Sequence, residues 1–333
     1  SLHDALPIYN NGHPRNFAYD RVRRVFDLDN LNSYKAHGQI ARFREDDGSE
    51  GEGYATELFV EAAVEEVERA PDDRPWFMWL ALTSPHDPFD CPEPFQSLYR
   101  HRDFPLPAAY MPEHPFDNGD MVIRDECLLP WPRLPEDIRD YRARDYGMIS
   151  HHDRELKRVV DLLERRGELE NTVIVFTGDH GLAVGDHGLL GKENMYQHSC
   201  RVPLIFRGPG VPAGKRIDGL VRNTDVFPTV CTLAGIDIPD TVRDGRSLAA
   251  FDEAVAGGRE AVLGAFRSPV DESKLQDLGF TKESPPITPF PKSAEDRFAW
   301  DILWDTQRMV RTPDWKLTWY PLIGRFQLFD LKA

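Results

Sequence analysis

Apolar positions along the chain recur with two different periods. Over residues 54–69, Leu58, Phe59, Ala62, Ala63 and Val67 fall largely at three- and four-residue steps and predict a helix with one buried face. The stretch 72–75 then breaks the chain. Residues 76–83 (WFMWLALT) are a continuous apolar run of strand length, the pattern of a strand buried on both faces. The helical period returns over 141–166, with Tyr146, Ile149, Leu156, Val160 and Leu163 as the expected buried stripe and Gly167 as the stop. Residues 172–177 (TVIVFT) and 202–206 repeat the buried-strand pattern, and 225–234 reads as a helix opened by Asp225 with Pro228 in its first turns. Strands alternating with helices predict an α/β fold, a mostly parallel central sheet flanked by helices on both faces.

Two regions depart from that alternation. Residues 84–135 are rich in proline and aromatics and lack a period, so they are expected to wrap the surface as a long functional loop region. Beyond about residue 250 the character changes again. Residues 261–266 predict one strand, 272–295 a polar, proline-rich loop, and 309–311, 316–320 and 326–331 the short strands of a small antiparallel unit. The expected division is an α/β domain over 1–250 and an incomplete C-terminal subdomain over 251–333. Residues 1–8 (SLHDALPI) read as neither helix start nor strand. They resemble a translated sequencing adaptor and are expected to be non-native.

Composition narrows the classes of function. Among 333 residues, 40 Lys and Arg face 56 Asp and Glu, a formal net charge of −16. No basic stripe is available to neutralise phosphates, which argues against nucleic acid as the main partner. An anionic substrate remains compatible, since a few local cations outweigh a distant negative field. Cys91, Cys127, Cys200 and Cys231 form no CxxC pair and read as free or incidentally paired thiols rather than a zinc site. No apolar run approaches the roughly 18 residues that span a membrane. No signal peptide is visible, and the chain opens at Ser1 rather than Met.

The candidate chemistry gathers at predicted strand ends. FTGDHGLAVGDHGLLGK, at 176–192, begins where the strand 172–177 stops, and ligands of parallel sheets bind beyond the carboxyl ends of strands. Asp179 beside His180, on a turn loosened by Gly178 and Gly181, suits a divalent cation. It suits equally a turn whose Asp caps the next segment. Lys192 reads as a point charge for an anionic oxygen or as a solvated surface lysine. His86, in TSPHDPF after the strand 76–83, reads as a donor to a substrate or leaving-group oxygen, or as a loop imidazole bonded to backbone.

Five ordered blocks resemble the sulfatase family of the alkaline phosphatase superfamily: SPHDPF at 84–89, YRARDYGMISHHDRELKRVVDLLE at 141–164, NTVIVFTGDHG at 171–181, HGLLGKENMYQHSCRVPLIFRGPG at 187–210 and TDVFPTVCTLAGIDIP at 224–239. MVRTPDWKLTWYP at 309–321 and FQLFDL at 326–331 look like the family's C-terminal subdomain. The resemblance implies hydrolysis of sulfate esters, small organic or carbohydrate, with a calcium cofactor. It places calcium on Asp179 and His180, a substrate-contacting role on His86 and a sulfate contact on Lys192. His187 is a weaker candidate near the site, and Arg201 is expected to pair with a carboxylate. Export to the periplasm or outside the cell is also implied.

The family's nucleophile is a cysteine or serine in C/S-x-P-x-R, matured to formylglycine, and no residue here fits that motif. Paired acidic calcium ligands of the family's first strand are not recognisable in 1–53, and the chain stops at DLKA. The expectation is therefore a fragment cut at both ends, inactive by itself, of a parent enzyme that carries the nucleophile. A phosphodiesterase or phosphonate monoester hydrolase of the same superfamily is the alternative activity. An inactive ion- or glycan-binding domain is the alternative class. Trp131, Trp300, Trp304 and Tyr320 read as sugar-stacking surfaces or as ordinary packing. Nothing in the pattern speaks to oligomeric state.

Overall fold

Four backbone segments near the start of the chain are held by strand pairing. In the computed structural model, which describes residues 6–7, 24–26, 40–45, 50–99, 104–118, 121, 125–242, 244–252, 259–267, 306–321 and 323–332, strand β1 (Leu6–Pro7) lies beside a strand much later in the chain. Strands β2 (Arg24–Phe26), β3 (Ile40–Glu45) and β4 (Glu50–Tyr54) form an antiparallel meander that runs into helix α1 (Ala55–Glu68). Strand β5 (Met78–Trp79) pairs parallel with β1, Leu6 against Met78. Residues 1–8 thus contain a short strand, against expectation. Ladder pairing uses only backbone groups, so two residues carry little sequence signal for it. Helices α2 (Phe95–Leu98) and α3 (Pro135–Arg165) complete this region. The chain divides into two compact units, the first comprising Ser1–Pro105 with Glu136–Glu170.

Helix α1 buries Phe59, Ala63 and Val67 of the expected stripe together with Ala55 and Val60, whereas Leu58 and Ala62 are only partly buried. Ala55, Phe59 and Ala63 form a core with Leu58, Ala62, Met78, Leu80, Leu82 and Val159. The run 76–83 is correspondingly one-sided. Met78, Leu80 and Leu82 alternate into that core, whereas Phe77 and Trp79 stay exposed, Trp79 by 60%. A continuous apolar run suggests two covered faces, but among the described residues only one is covered.

Helix α3 begins at Pro135, whose missing N–H costs nothing in a first turn, with Glu136 and Asp137 complementing the helix dipole. It ends in a Schellman arrangement. Gly167, at φ 71°, donates its N–H to Glu164 O (3.0 Å), and Glu168 N–H reaches Leu163 O (2.9 Å). Its buried face differs from the expected stripe. Tyr146 and Ile149 are exposed, whereas Met148, His151 and Glu155 are buried. Ion pairs explain the exchange. Arg154 and Arg158 lie 2.6 and 2.7 Å from the two oxygens of Glu155, and His151 Nε2 lies 3.2 Å from Glu57. Paired charge is buried at far lower cost than the bare residue type suggests.

The second unit comprises Leu106–Pro135 and Asn171–Ala333. Strands β6 (Ile174–Thr177) and β7 (Leu204–Arg207) pair antiparallel, Ile174 against Arg207, with helix α4 (Gln197–Cys200) between them in sequence. An apolar run reports burial, not strand direction, and even burial is partial here, Ile205 being 57% exposed. Helix α5 (Val226–Leu233) follows. Fully buried Asp225 anchors its start, accepting from Arg222 N (2.8 Å), Arg246 N (3.0 Å) and Arg259 Nη2 (2.6 Å). Burial pushes that carboxyl upward, and the Arg259 and amide bonds outweigh it, leaving the group below its ordinary value.

Strands β8 (Val262–Arg267), β9 (Thr306–Arg311), β10 (Trp315–Tyr320) and β11 (Arg325–Asp330) form the expected antiparallel sheet in the order β11-β10-β9-β8. The loop expected at 272–295, with Trp300 and Trp304, lies outside the described residues. Among the described residues, no helix is long and apolar enough to cross a membrane.

Gly147 supplies a test of the first unit's packing. A Cβ there would sit 2.7 Å from the carbonyl oxygen of Phe95, at the contact between α3 and α2. Alanine ordinarily gains about 1 kcal/mol over glycine inside a helix, but overpacking costs about 1–3 kcal/mol. Gly147→Ala is expected to lower the free energy of chemical denaturation by about 1 kcal/mol. A gain in stability would contradict the close approach.

Candidate functional site

Strand β6 delivers its chain into the turn Gly178–Asp179–His180–Gly181. Gly181 is required there, since a Cβ would lie 1.9 Å from the carbonyl oxygen of His198. Its N–H donates to Ser199 O (3.0 Å), and Gly178 O accepts from Asn223 Nδ2 (3.0 Å). With the backbone so fixed, Asp179 and His180 are both exposed, the Asp179 side chain by 88%. Asp179 Oδ1 accepts the His180 N–H at 2.9 Å, and Oδ2 lies 3.6 Å from His180 Nε2. His180 Nδ1–H donates to Gly181 O at 3.1 Å.

The following loop doubles back on itself. Ala183 N donates to Gly191 O (3.0 Å) and Gly185 N to Leu189 O (2.8 Å). Val184, Gly185, His187 and Gly188 all take positive φ. At Gly188 a side chain is excluded outright, a Cβ meeting the backbone of Glu113 and His114 at 2.5 Å. The loop is gripped from a distance by Glu126, whose carboxylate accepts from Leu190 N (3.0 Å), Gly191 N (2.8 Å) and Arg133 Nη2 (2.9 Å). Burial pushes the Glu126 carboxyl up to about 7, against the pull of the Gly191 amide and the Arg133 guanidinium. Lys192 leaves this grip with its side chain only 17% exposed and its Nζ 2.7 Å from Asp125 Oδ2.

Behind the loop, three imidazoles surround Tyr196. His187 stacks on its ring at 4.2 Å, His114 Nε2 lies 2.8 Å from its hydroxyl, and the His198 ring lies at 5.6 Å. Burial drives His114 down to about 4 and His198 to about 3, and the His198 Nε2 has no hydrogen-bond partner among the described residues. Lys316 is buried here too, with Gln197 Oε1 at 3.4 Å, and burial lowers its ammonium from the ordinary lysine value.

His86 belongs to the first unit. Its N–H closes a turn to Thr83 O (2.9 Å), and its Nδ1–H donates to Asp87 O (2.8 Å), with Asp87 Oδ1 3.2 Å away. In the same unit Glu57, His151 and Glu155 bring three ligand-type atoms within 4.8 Å of one another. Arg154 already lies 2.9 Å from Glu57 and 2.6 Å from Glu155, so a guanidinium takes the position a metal would need. One reading near the site changes, and of two alternatives for a pair of aromatics the packing one matches the contacts. Arg201 makes no carboxylate pair among the described residues and instead adds to the burial that lowers Arg311. Trp131 and Tyr320 are packing residues. The Arg133 guanidinium lies 3.7 Å from the Trp131 ring centroid, and Tyr320 is buried edge-on against Phe116 with its hydroxyl donating to Gln327.

The structure therefore brings Asp179 and His180 together and gives Lys192 a carboxylate partner. Asp125, Glu126 and Arg133 are functional candidates that the sequence pattern does not reveal. Their only signal is an acidic pair followed by arginine inside a proline-rich stretch, and the contacts of Asp125 and Glu126 to residues 190–192 span 64 to 67 residues.

A family model described as Sulfatase matches residues 6–236. The chain belongs to the sulfatase family. It is 33% identical over 209 residues to the multifunctional alkaline phosphatase superfamily protein PehA of Trinickia caryophylli, covering 58% of this chain and 40% of that protein. It is 26% identical over 340 residues to the N-acetylglucosamine-6-O-sulfatase of Bacteroides thetaiotaomicron, covering 84% of this chain and 56% of the relative. The chain thus spans about half the length of the curated relatives it matches. A solved structure described as bound to its substrate D-glucosamine-2-N,6-O-disulfate superposes with a TM-score of 0.64 at 22% identity, over 91% of this chain and 68% of that one. The fold is accordingly the α/β fold of this superfamily, with a small antiparallel sheet toward the C-terminus.

The family implies a divalent metal. Exposed Asp179 offers a hard carboxylate oxygen and His180 an imidazole nitrogen. Two donors are compatible with such an ion but fill only part of the six to eight positions a calcium ion takes.

The buried imidazoles fix a sign for acid stability. Folded His198 and His114 titrate below their unfolded value of about 6.5, so unfolding takes up protons as pH falls from there. Their contribution is complete above about pH 6.5 and is lost toward pH 4. His198→Phe should make the acid loss of stability shallower by about 1 kcal/mol per pH unit in denaturant titrations between pH 6.5 and 4.5. Equal slopes in variant and parent would contradict a neutral, buried His198.

Proposed function

We propose that the protein hydrolyses sulfate esters, this chain supplying a cation-binding turn and two groups that engage the ester. The observation that carries the reading is the Asp179–His180 pair, exposed immediately past the end of β6, in a chain of the sulfatase family. Asp179 and His180 are two of the ligands of a divalent ion, calcium being the one the resemblance implies. Such an ion supplies positive charge at the transferring group.

The Lys192 ammonium binds a non-bridging sulfate oxygen as a compact point charge. In His86, Nδ1–H is committed to Asp87 O, so the proton it delivers to the departing oxygen is the one at Nε2. The attacking group lies outside these 333 residues, because none fits C/S-x-P-x-R. The chain by itself is expected to be inactive.

The matched relative named as an N-acetylglucosamine-6-O-sulfatase supports a sulfated carbohydrate as substrate. Family resemblance supports a periplasmic or secreted protein. A second reading, phosphodiester or phosphonate monoester hydrolysis, draws support from the similarity to PehA, named for the superfamily rather than for sulfate.

In the active enzyme, Lys192→Ala and Asp179→Asn should each lower kcat/KM for an aryl sulfate by about 100-fold or more, the usual cost of losing one charge-stabilising group. His86→Ala should act mainly on kcat and least on esters with good leaving groups. Retained turnover in Lys192→Ala or Asp179→Asn would remove those roles.

A further inference from the structure

We propose that Asp125 and Glu126 are positioning residues for Lys192, one holding its ammonium and the other pinning the backbone that carries it. The purpose assigned to them rests on the reading of Lys192 as an anion-binding group. The contacts themselves do not.

Two consecutive carboxylates divide the task. Glu126 receives the N–H groups of Leu190 and Gly191, the two residues before Lys192, so the backbone at this point cannot shift without breaking two bonds to a buried carboxyl acceptor. Gly191 is what allows the approach. A Cβ there would already meet Asp125 Cβ and Glu193 Oε2 at 3.0 Å and Glu126 Oε1 at 3.1 Å. Lys192 N–H then donates to Glu193 Oε2 at 3.1 Å. Asp125, whose side chain is buried, places Oδ2 2.7 Å from Lys192 Nζ.

Glu126 is in turn held by Arg133, the largest fully buried side chain of the second unit. Arg133 Nη2 donates to Glu126 Oε2 (2.9 Å) and Glu126 O (2.7 Å), Nη1 donates to Leu129 O, and Trp131 covers the guanidinium. Removing either member would leave the other buried and uncompensated.

This arrangement has a chemical consequence. A lysine free in water must surrender its hydration and its rotamer freedom to bind an anionic oxygen. Lys192 has already surrendered both to an anionic oxygen of the protein. An ammonium has three N–H donors, so an arriving sulfate oxygen takes another of them while Asp125 keeps the Nζ in place.

Amine acylation of the whole folded chain, read by mass spectrometry, tests this directly. Asp125→Asn leaves the Glu126–Arg133 pair intact and should raise the acylation rate of Lys192 by at least about threefold, the scale of one modest ion pair. Exposed Lys215 should react at an unchanged rate. Glu126→Gln should speed hydrogen exchange at the Leu190 and Gly191 amides by about tenfold or more, the scale of one lost charged hydrogen bond. Should Glu126→Gln fail to fold, Asp125→Asn decides alone. Unchanged Lys192 acylation in a folded Asp125→Asn variant would overturn the proposal. These readouts need no turnover, so an enzyme that proved inactive on sulfate esters would sink the proposed function and leave this result standing.

Discussion

A buried carboxylate facing a buried guanidinium, with two backbone amides between them and the lysine loop, is the constraint on which that loop of the second unit depends. Taking Glu126 and Arg133 out of water is costly, and their attraction repays it only because further bonds satisfy both ends. Part of that repayment comes from the loop itself, through the amides of Leu190 and Gly191. The loop needs such an anchor. It contains Val184 and His187 at positive φ, each a local conformation that costs on the order of 1 kcal/mol or more and persists only where surroundings enforce it. Loss of one member of the buried pair is therefore a loss of loop geometry as well as of about 3–5 kcal/mol.

The candidate chemistry sits on irregular backbone held by regular elements. Asp179 and His180 follow β6 directly, and the Gly181 contact with His198 sets the turn that exposes them. Lys192 lies beyond a loop fixed by hydrogen bonds from a segment of its own unit that has no regular strand or long helix among its described residues. In the first unit, His86 occupies a turn closed by Thr83, with its Nδ1–H tied to backbone. Each group is positioned by hydrogen bonds of its own backbone or of a neighbouring loop, so each can be tuned without disturbing the helices behind it.

What the sequence made legible follows from what local pattern encodes. Helix α1, helix α3 with its Gly167 stop and the antiparallel sheet β8–β11 all announce themselves through period and turn residues. Asp179, His180, Lys192 and His86 are legible as candidates because they stand in recognisable motifs at strand ends. Local pattern says nothing about pairing at a distance. The antiparallel register of β6 with β7, the burial of His151 beside Glu57 in place of Tyr146 and Ile149, and the Asp125–Lys192 contact all depend on residues far apart in the chain. Ion pairing decides the second and third of these, and hydrophobic patterning is blind to it. The Glu126–Arg133 clasp was hidden for a further reason: it lies in a stretch whose prolines erase any period.

The central claim is that the anion held here is the sulfate of an ester. It is tested most directly by steady-state turnover of a matched series sharing one leaving group, a sulfate monoester, a phosphate diester and a phosphonate monoester, with the active enzyme as its host produces it. The account predicts the highest kcat/KM for the sulfate ester, with the lead over the other two lost in the Lys192→Ala enzyme. A phosphonate or phosphodiester preferred over the sulfate would contradict it and assign the same residues to phosphoryl chemistry.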